Sequence, residues 1–235
     1  VNDKTVKLSW ISPEKTDGYF DDFENHQDFA INSAGNVGWS YIDADNNITY
    51  TWQACTFPTQ GQKMAFVVVN PWETSPAVNE NPNFQPYSGK KMLVDFSSID
   101  DKNNDYIISP ELNFDRDFQF SFMARTYKIE GDNFAAERVR VGYSTTGKRP
   151  SDFKYVNEGP YVELPAAWTL VKYNIPKEAK YVTINCVSES GFMMMLDDIF
   201  VGTNKIRPTQ STKQLAAANP VVGFNVYRNG QKVNE

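Results

Sequence analysis

FMMMLDDIFVG, residues 192–202, is the stretch on which the reading of this chain turns. Five apolar residues, Phe192 to Leu196, run into Asp197 and Asp198, and Ile199, Phe200 and Val201 follow at once. A short apolar run of this kind predicts a strand that belongs in a core. Two carboxylates in its middle need a cation, a ring of donors or an escape to water, because an unpaired buried carboxylate costs several kcal/mol.

Working outward from that strand, similar signals recur along the chain: TYTWQACTF (49–57), KMAFVVVN (63–70), KMLVDFS (91–97), DYIIS (105–109), FQFSFMA (118–124), RVRVGYSTT (138–146), WTLVKYNI (168–175) and KYVTINCVS (180–188). Several alternate apolar with polar residues, and Gly, Pro, Asn and Asp gather between them. Many short antiparallel-type strands without amphipathic helices between them predict an all-β protein, a jelly-roll β-sandwich. The one helical pattern is TKQLAAAN (212–219), closed by Asn219 and Pro220.

The chain has 235 residues, 40% of them hydrophobic and 14% aromatic, enough for one large core and a small appendage. Its 29 acidic residues exceed the 23 Lys and Arg, for a formal net charge of -6, and the basic residues are scattered. That balance argues against nucleic acid and anionic membrane surfaces as partners. No apolar run approaches the roughly 20 residues of a membrane helix. Val1 opens the chain in mid-pattern, without a signal peptide, like a piece of something longer. Cys55 and Cys186 are the two cysteines, read as buried free thiols, with a disulfide requiring tight distance limits between separate strands. With one histidine, His26, they do not supply a zinc site.

The ends differ from the middle. TVKLSWISPE places Val6, Leu8 and Trp10 on one face of a strand that breaks at Pro13, and GFNVYRNGQKV forms a hairpin whose Asn229-Gly230 pair suits a type I′ turn. Both pieces resemble strands of fibronectin type III domains. This implies a jelly roll inserted into an incomplete fibronectin type III-like domain: residues 1–18 as one strand of the host, 19–203 as the jelly roll, 204–219 as a linker and 220–235 as a host hairpin.

The middle is similar to the cleaved-adhesin family, the haemagglutinin and adhesin domains carried by gingipain proteases, and more remotely to MAM domains of cell-surface receptors. The pieces that carry the likeness stand in the family's order: DDFEN (21–25), Trp39 with YIDADNN (41–47), NDYIISPEL (104–112), VGYSTTGKRPSDF (141–153), AWTLVKYNIPKEAKYVTI (167–184) and LDDI (196–199). The resemblance implies a structural calcium ion held by Glu24 and Asp197, with Asp198 and Asp22 as further ligands. A hard dication takes six to eight oxygens, and carboxylates from opposite ends of the domain plus backbone carbonyls would supply them. The competing expectation is that Asp197 and Asp198 lie at a strand end in water or pair with a Lys or Arg.

A second, weaker metal candidate is Asp43, Asp45 and Asn47, spaced like alternate ligands of a calcium loop. Ile48 stands where such loops prefer Gly and no Glu closes the pattern, so a solvated Asx turn is the simpler expectation.

Catalytic machinery is not evident. His26 lies near Glu24, G-x-S-x-G is absent, and so is the E-x-D-x-x-E strand that sets two carboxylates about 5 Å apart in jelly-roll glycosidases. Cys55 has no adjacent basic residue to activate it. The chain therefore reads as a non-enzyme. Binding is carried instead by NPWETSPAVNENPNFQPYSG (70–89), where four prolines preclude a regular element while Trp72, Phe84 and Tyr87 supply aromatic contact area. Those rings either plug one mouth of the sandwich or stay exposed to stack on a sugar or a partner's apolar patch. The expected function is a non-catalytic adhesion or ligand-binding module of an exported bacterial surface protein, taking carbohydrate or a host surface protein beside other domains of its own polypeptide. The alternative is an ancillary targeting domain of a secreted protease or glycosidase.

Overall fold

The computed structural model describes residues 18–99 and 102–203, with the backbone of 227–228 and 231–232. Two antiparallel six-stranded sheets lie within the first two ranges. The first contains β1 (Gly18–Asp21), β3 (Val67–Val69), β4 (Met92–Phe96), β6 (Phe118–Thr126), β10 (Thr169–Ile175) and β12 (Met193–Gly202). Its order is β10-β6-β12-β4-β3, with β1 also paired to β12. The second contains β2 (Ser40–Asp43), β5 (Asp105–Ile108), β7 (Arg138–Ser144), β8 (Lys154–Tyr155), β9 (Val162–Glu163) and β11 (Tyr181–Cys186). Its order is β2-β5-β11-β7-β8, with β9 also on β7.

Alternation assigns each strand's faces. Phe120, Phe122 and Ala124 of β6, Leu93 of β4 and Met194 and Leu196 of β12 meet Ile107, Val139, Val141, Val182 and Ile184 of the other sheet in the central core. Their alternate neighbours, Met193, Met195, Met92 and Val94, point the other way, and there they are covered by Phe29, Trp52, Phe57, Val78 and Phe84 from the long connections. Hence β12 is buried on both faces, which is why Phe192 to Leu196 reads as a continuous apolar run.

The Asp-Asp pair is a β-bulge. On one side β12 pairs with β6 as Asp197↔Met123 and then Phe200↔Ser121, so that one extra residue is accommodated between them. Asp198 takes φ 48°, the left-handed conformation that Asp tolerates better than most side chains. The extra residue shifts the alternation, so Ile199 and Val201 rejoin the central core that Met194 and Leu196 served before it. On its other side β12 pairs with β4 up to Leu196↔Leu93, then with β1 from Asp21↔Ile199 onward. Asp197 and Asp198 occupy the gap where one partner ends and the other begins.

The expected strand over 49–57 does not form as such: Thr49 and Thr56 make single bridges to Ser98 and Ser75, while Trp52, Cys55 and Phe57 enter the outer core from turns. Burial, not pairing, produced that pattern. The hairpin expected around Asn229-Gly230 is paired as Tyr227↔Lys232 and Arg228↔Gln231. TVKLSW, the 204–219 linker with its helical pattern, and 220–226 lie outside the described residues, as does the rest of the host-domain expectation. Both cysteines are buried and unbonded.

Candidate functional site

The loop that leads into β4 meets the bulge. Asp197 Oδ2 accepts the N–H of Ser88 at 3.0 Å, Asp197 Oδ1 accepts the N–H of Asp198 at 2.7 Å, and Asp198 Oδ1 accepts the Ser88 hydroxyl at 2.8 Å. From the other side Glu24 Oε1 accepts the N–H groups of Lys90 and Lys91 at 2.6 and 2.7 Å. Gly89 sits between them at φ +62°, where a Cβ would lie 2.3 Å from Glu24 Oε1. Donors therefore meet the carboxylates of the strand: backbone N–H groups ring them, as charge-assisted bonds in a dry site require. Burial still pushes the Asp197 carboxyl well above the usual range, with its donors opposing that rise and Asp198 adding to it. Asp22 contributes locally, its Oδ1 accepting the Glu24 N–H at 3.3 Å. Of the expected ligand set, Glu24, Asp197 and Asp198 therefore converge on one loop, residues 87–91, and fix it in place, while Asp22 bonds only the Glu24 backbone.

That loop presents Tyr87, 44% exposed, whose ring meets the edge of Trp168 at 6.0 Å. Trp168 is set by its indole N–H, which donates to the Gln85 carbonyl at 3.0 Å, and by the Arg125 guanidinium 6.0 Å from its ring. Leu170, on the edge strand β10, extends the same stretch at 42% exposure. Arg125 is buried, and its Nε has no hydrogen-bond partner. Trp72 is half-buried beneath Lys90, 5.8 Å away. Phe84 does not belong to a binding face: it is fully buried, 4.6 Å from Trp52, a plug of the outer core. A 20-residue loop without regular structure needs such an anchor, and the Pro-rich chain turns its ring inward. Sequence reasoning missed Trp168, which begins the strand pattern WTLVKYNI and carries no mark of exposure.

His26 lies in a buried chain of hydrogen bonds. Its Nε2 is 2.9 Å from Asp21 Oδ2, its Nδ1 2.9 Å from Ser33 Oγ, and Asp21 Oδ2 also accepts the Trp39 indole N–H at 2.8 Å. The residue types are those of a hydrolytic triad. The setting is structural: Asp21 is shared with Trp39, and Gly35 packs so closely on the ring that a Cβ there would lie 2.2 Å from it. A covered imidazole cannot reach a substrate, and this network ties the 22–39 connection to β1.

A second acidic region lines the interior at one end of the sandwich. Two positions before the inward Ile107 stands Asp105, and two after the inward Leu93 stands Asp95. Asp95 Oδ1 accepts Asn103 Nδ2 at 2.6 Å, whereas its Oδ2 has no partner. Glu137, also fully buried, accepts the Phe192 N–H at 2.6 Å and the Ser97 hydroxyl at 3.2 Å, and burial raises its carboxyl to about 7. Burial, then Asp95, Asp45 and Asp43, push Asp105 up to about 11. Burial likewise raises the Cys186 thiol beside Asp95 and Glu137, which leaves it inert. Asp43, across from Asp105 in the β2–β5 pairing, is raised chiefly by partial burial. Asn47 serves the turn through its N–H, which donates to Asp45 Oδ1 at 2.9 Å.

Comparison with solved structures places the scaffold. The K1 cleaved adhesin domain of Lys-gingipain from Porphyromonas gingivalis W83 superposes with a TM-score of 0.53 at 19% identity, covering 80% of this chain and 98% of that domain. This is the cleaved-adhesin fold. The K2 domain gives 0.54 at 15% identity over 78% of this chain, and the K3 domain of the W83 protein 0.50 at 20% over 80%; each is covered to 98%. No protein-family model and no curated protein matches the sequence. The cleaved-adhesin fold accounts for the order of DDFEN, NDYIISPEL and LDDI along the chain, because these segments form or flank β1, β5 and β12.

Proposed function

We propose that this chain is a non-catalytic adhesion or ligand-binding module of an exported surface protein, and that it takes carbohydrate on the face formed by Tyr87 and Trp168. The observation that carries this reading is the exposed Tyr87 ring standing against an indole held by Gln85 and Arg125. Sugars offer apolar C–H faces rimmed by hydroxyls, and rigid aromatic pairs with a cationic neighbour match that chemistry at low conformational cost. The acid ring at the bulge explains how a loop tip acquires the necessary rigidity: Asp197 and Glu24 grip the backbone on either side of Gly89. The fold likeness supplies the scaffold for this reading. Export fits the adhesion role, and among the described residues no helix is long and apolar enough to cross a membrane.

A glycan array screened with the full chain, followed by calorimetry on retained sugars, tests the proposal. Tyr87→Ala is expected to lower affinity at least tenfold while leaving the melting temperature nearly unchanged, and Trp168→Ala to lower affinity by at least as much with some loss of stability, since its ring also packs on the outer core. An array that retains no glycan, while a host surface protein binds through the same two residues, would move the ligand class from sugar to protein. Hydrolysis of peptide or glycoside substrates that disappears in His26→Ala would overturn the non-catalytic reading.

A further inference from the structure

One buried cation in this molecule stands without an anion. Arg125, near the end of β6, is 7% exposed, and its Nε has no hydrogen-bond partner. Among the described residues no ion pair engages it. Burial lowers its guanidinium from the ordinary value, and the group that opposes this is the Tyr127 hydroxyl, not a carboxylate. A guanidinium held this dry without a counter-charge is costly in the free protein.

The register of the sheet sets that charge beside the Tyr87–Trp168 face. Phe120, Phe122 and Ala124 of β6 point into the central core, so Ser121, Met123 and Arg125 point outward. On the edge strand β10, Leu170 and Lys172 lie opposite Met123 and Ser121. Trp168, just before β10, continues that column beside Arg125, with its ring 6.0 Å from the guanidinium and Tyr87 against its other side. The two adjoining columns run four strand residues, about 13 Å, with Met123 and Leu170 as an apolar middle and a cation at each end. Lys172 is exposed, and Ser121 Oγ next to it is buried without a partner.

The chain's own acids do not answer this cation. Neither FQFSFMART of β6 nor TLVKYNI of β10 contains an acidic residue, in a chain that has 29 of them. Asp197 is on the same face, opposite Met123, but its oxygens accept the N–H groups of Ser88 and Asp198. An anion from outside therefore meets no competing partner, and the dry surroundings that penalise the lone cation strengthen its pairing. Nε is covered, so the approach is to the Nη end of the fork, whose planar geometry matches a carboxylate.

We propose that the face of Tyr87 and Trp168 selects acidic sugars, with Arg125 receiving the sugar carboxylate while the two rings carry the sugar's C–H face. This inference rests on the carbohydrate reading of that face and names the sugar class. Uronic and sialic acids both offer such a carboxylate, whereas a neutral sugar leaves the guanidinium unpaired.

Titration of the full chain, followed by NMR, with sugars paired by charge tests it: methyl glucuronide against methyl glucoside, and sialyllactose against lactose. In at least one pair the acidic sugar is expected to bind about tenfold tighter or more than the neutral one, and the pair that shows this names the source of the carboxylate. Arg125→Met, which keeps an apolar stem and removes a buried charge without a partner, should bring the acidic sugar to the affinity of its neutral counterpart while melting close to the parent. Arg125→Lys, which keeps the charge but not the fork, should restore only part of the preference. Tyr87→Ala should weaken both members of a pair alike. Equal affinities within both pairs overturn the inference and leave the carbohydrate face standing, as does an acidic preference that survives Arg125→Met. A glycan array that retains only neutral sugars through Tyr87 also overturns acidic selection alone, whereas an array that retains no glycan overturns the carbohydrate reading with it.

Discussion

Asp197 and Asp105 are both buried strand carboxylates in the same sandwich, yet their surroundings are opposite. Asp197 faces N–H groups of a loop and of its own bulge; Asp105 faces three other acids and keeps an oxygen without a partner. The first is satisfied by the chain itself, so its loss leaves donors unpaired. The second is left incomplete by the chain, so its loss removes a penalty. Burial and residue type are alike in the two places, and what separates them is the neighbour: backbone N–H groups at Asp197, other carboxylates at Asp105.

The largest expected effect breaks the satisfied side. Asp197→Ala strands the N–H groups of Ser88 and Asp198 in a dry gap, and at about 1–3 kcal/mol for each orphaned group it should cost on the order of 3 kcal/mol in denaturant unfolding, with or without calcium. Next comes the incomplete side: Asp105→Asn replaces a buried carboxyl that keeps an oxygen without a partner, and should raise rather than lower the melting temperature. A third test sharpens the comparison through pH. A buried carboxyl whose folded pKa is raised favours folding while protonated and loses that advantage as pH rises from the unfolded value, about 4, through the folded one. For Glu137, raised to about 7, its own share of the stability should fall by about 2 kcal/mol between pH 5 and 7, and Glu137→Gln should remove that share of the slope while leaving the part due to the raised carboxyls of Asp95, Asp105 and Asp197. The smallest effect is Asp22→Ala, which removes one long hydrogen bond near the surface and should cost under about 0.5 kcal/mol.

The same contrast explains what could be read in the sequence. The strands at 92–96, 105–108, 118–126, 138–144, 169–175, 181–186 and 193–202 declare themselves through apolar runs or alternation, because one or both faces are buried. The two-residue strands β8 and β9 are too short to carry a period, and 49–57 imitates a strand while burying Trp52, Cys55 and Phe57 from turns. At the bulge, the likeness of DDFEN and LDDI to a known family brought Glu24 and Asp197 to one place. Their partners escaped notice because backbone N–H groups have no letter; Gly89 is the one trace they leave. At the acidic end the turn was visible, but Asp105 read as an ordinary strand residue in DYIIS, since only the register of β2 against β5 sets it beside Asp43. Phe84 and Tyr87, three residues apart in one loop, went to opposite destinations, a difference that no local pattern encodes.

The pairing of β1 with β12 also governs how the module bears load. Gly18 and Gly202 are register partners, so the chain enters and leaves the sandwich about 5 Å apart. A pull on residues 17 and 203 acts on the open end of a zipper, and the rungs Gly18↔Gly202, Tyr19↔Val201 and Phe20↔Phe200 separate in succession instead of together. Peeling then reaches Asp21, whose carboxylate is held by both His26 and Trp39, and there several bonds must fail at once. Tension on the module would thus be absorbed by a short lengthening of its root, with the 87–91 loop left undisturbed until that catch gives way.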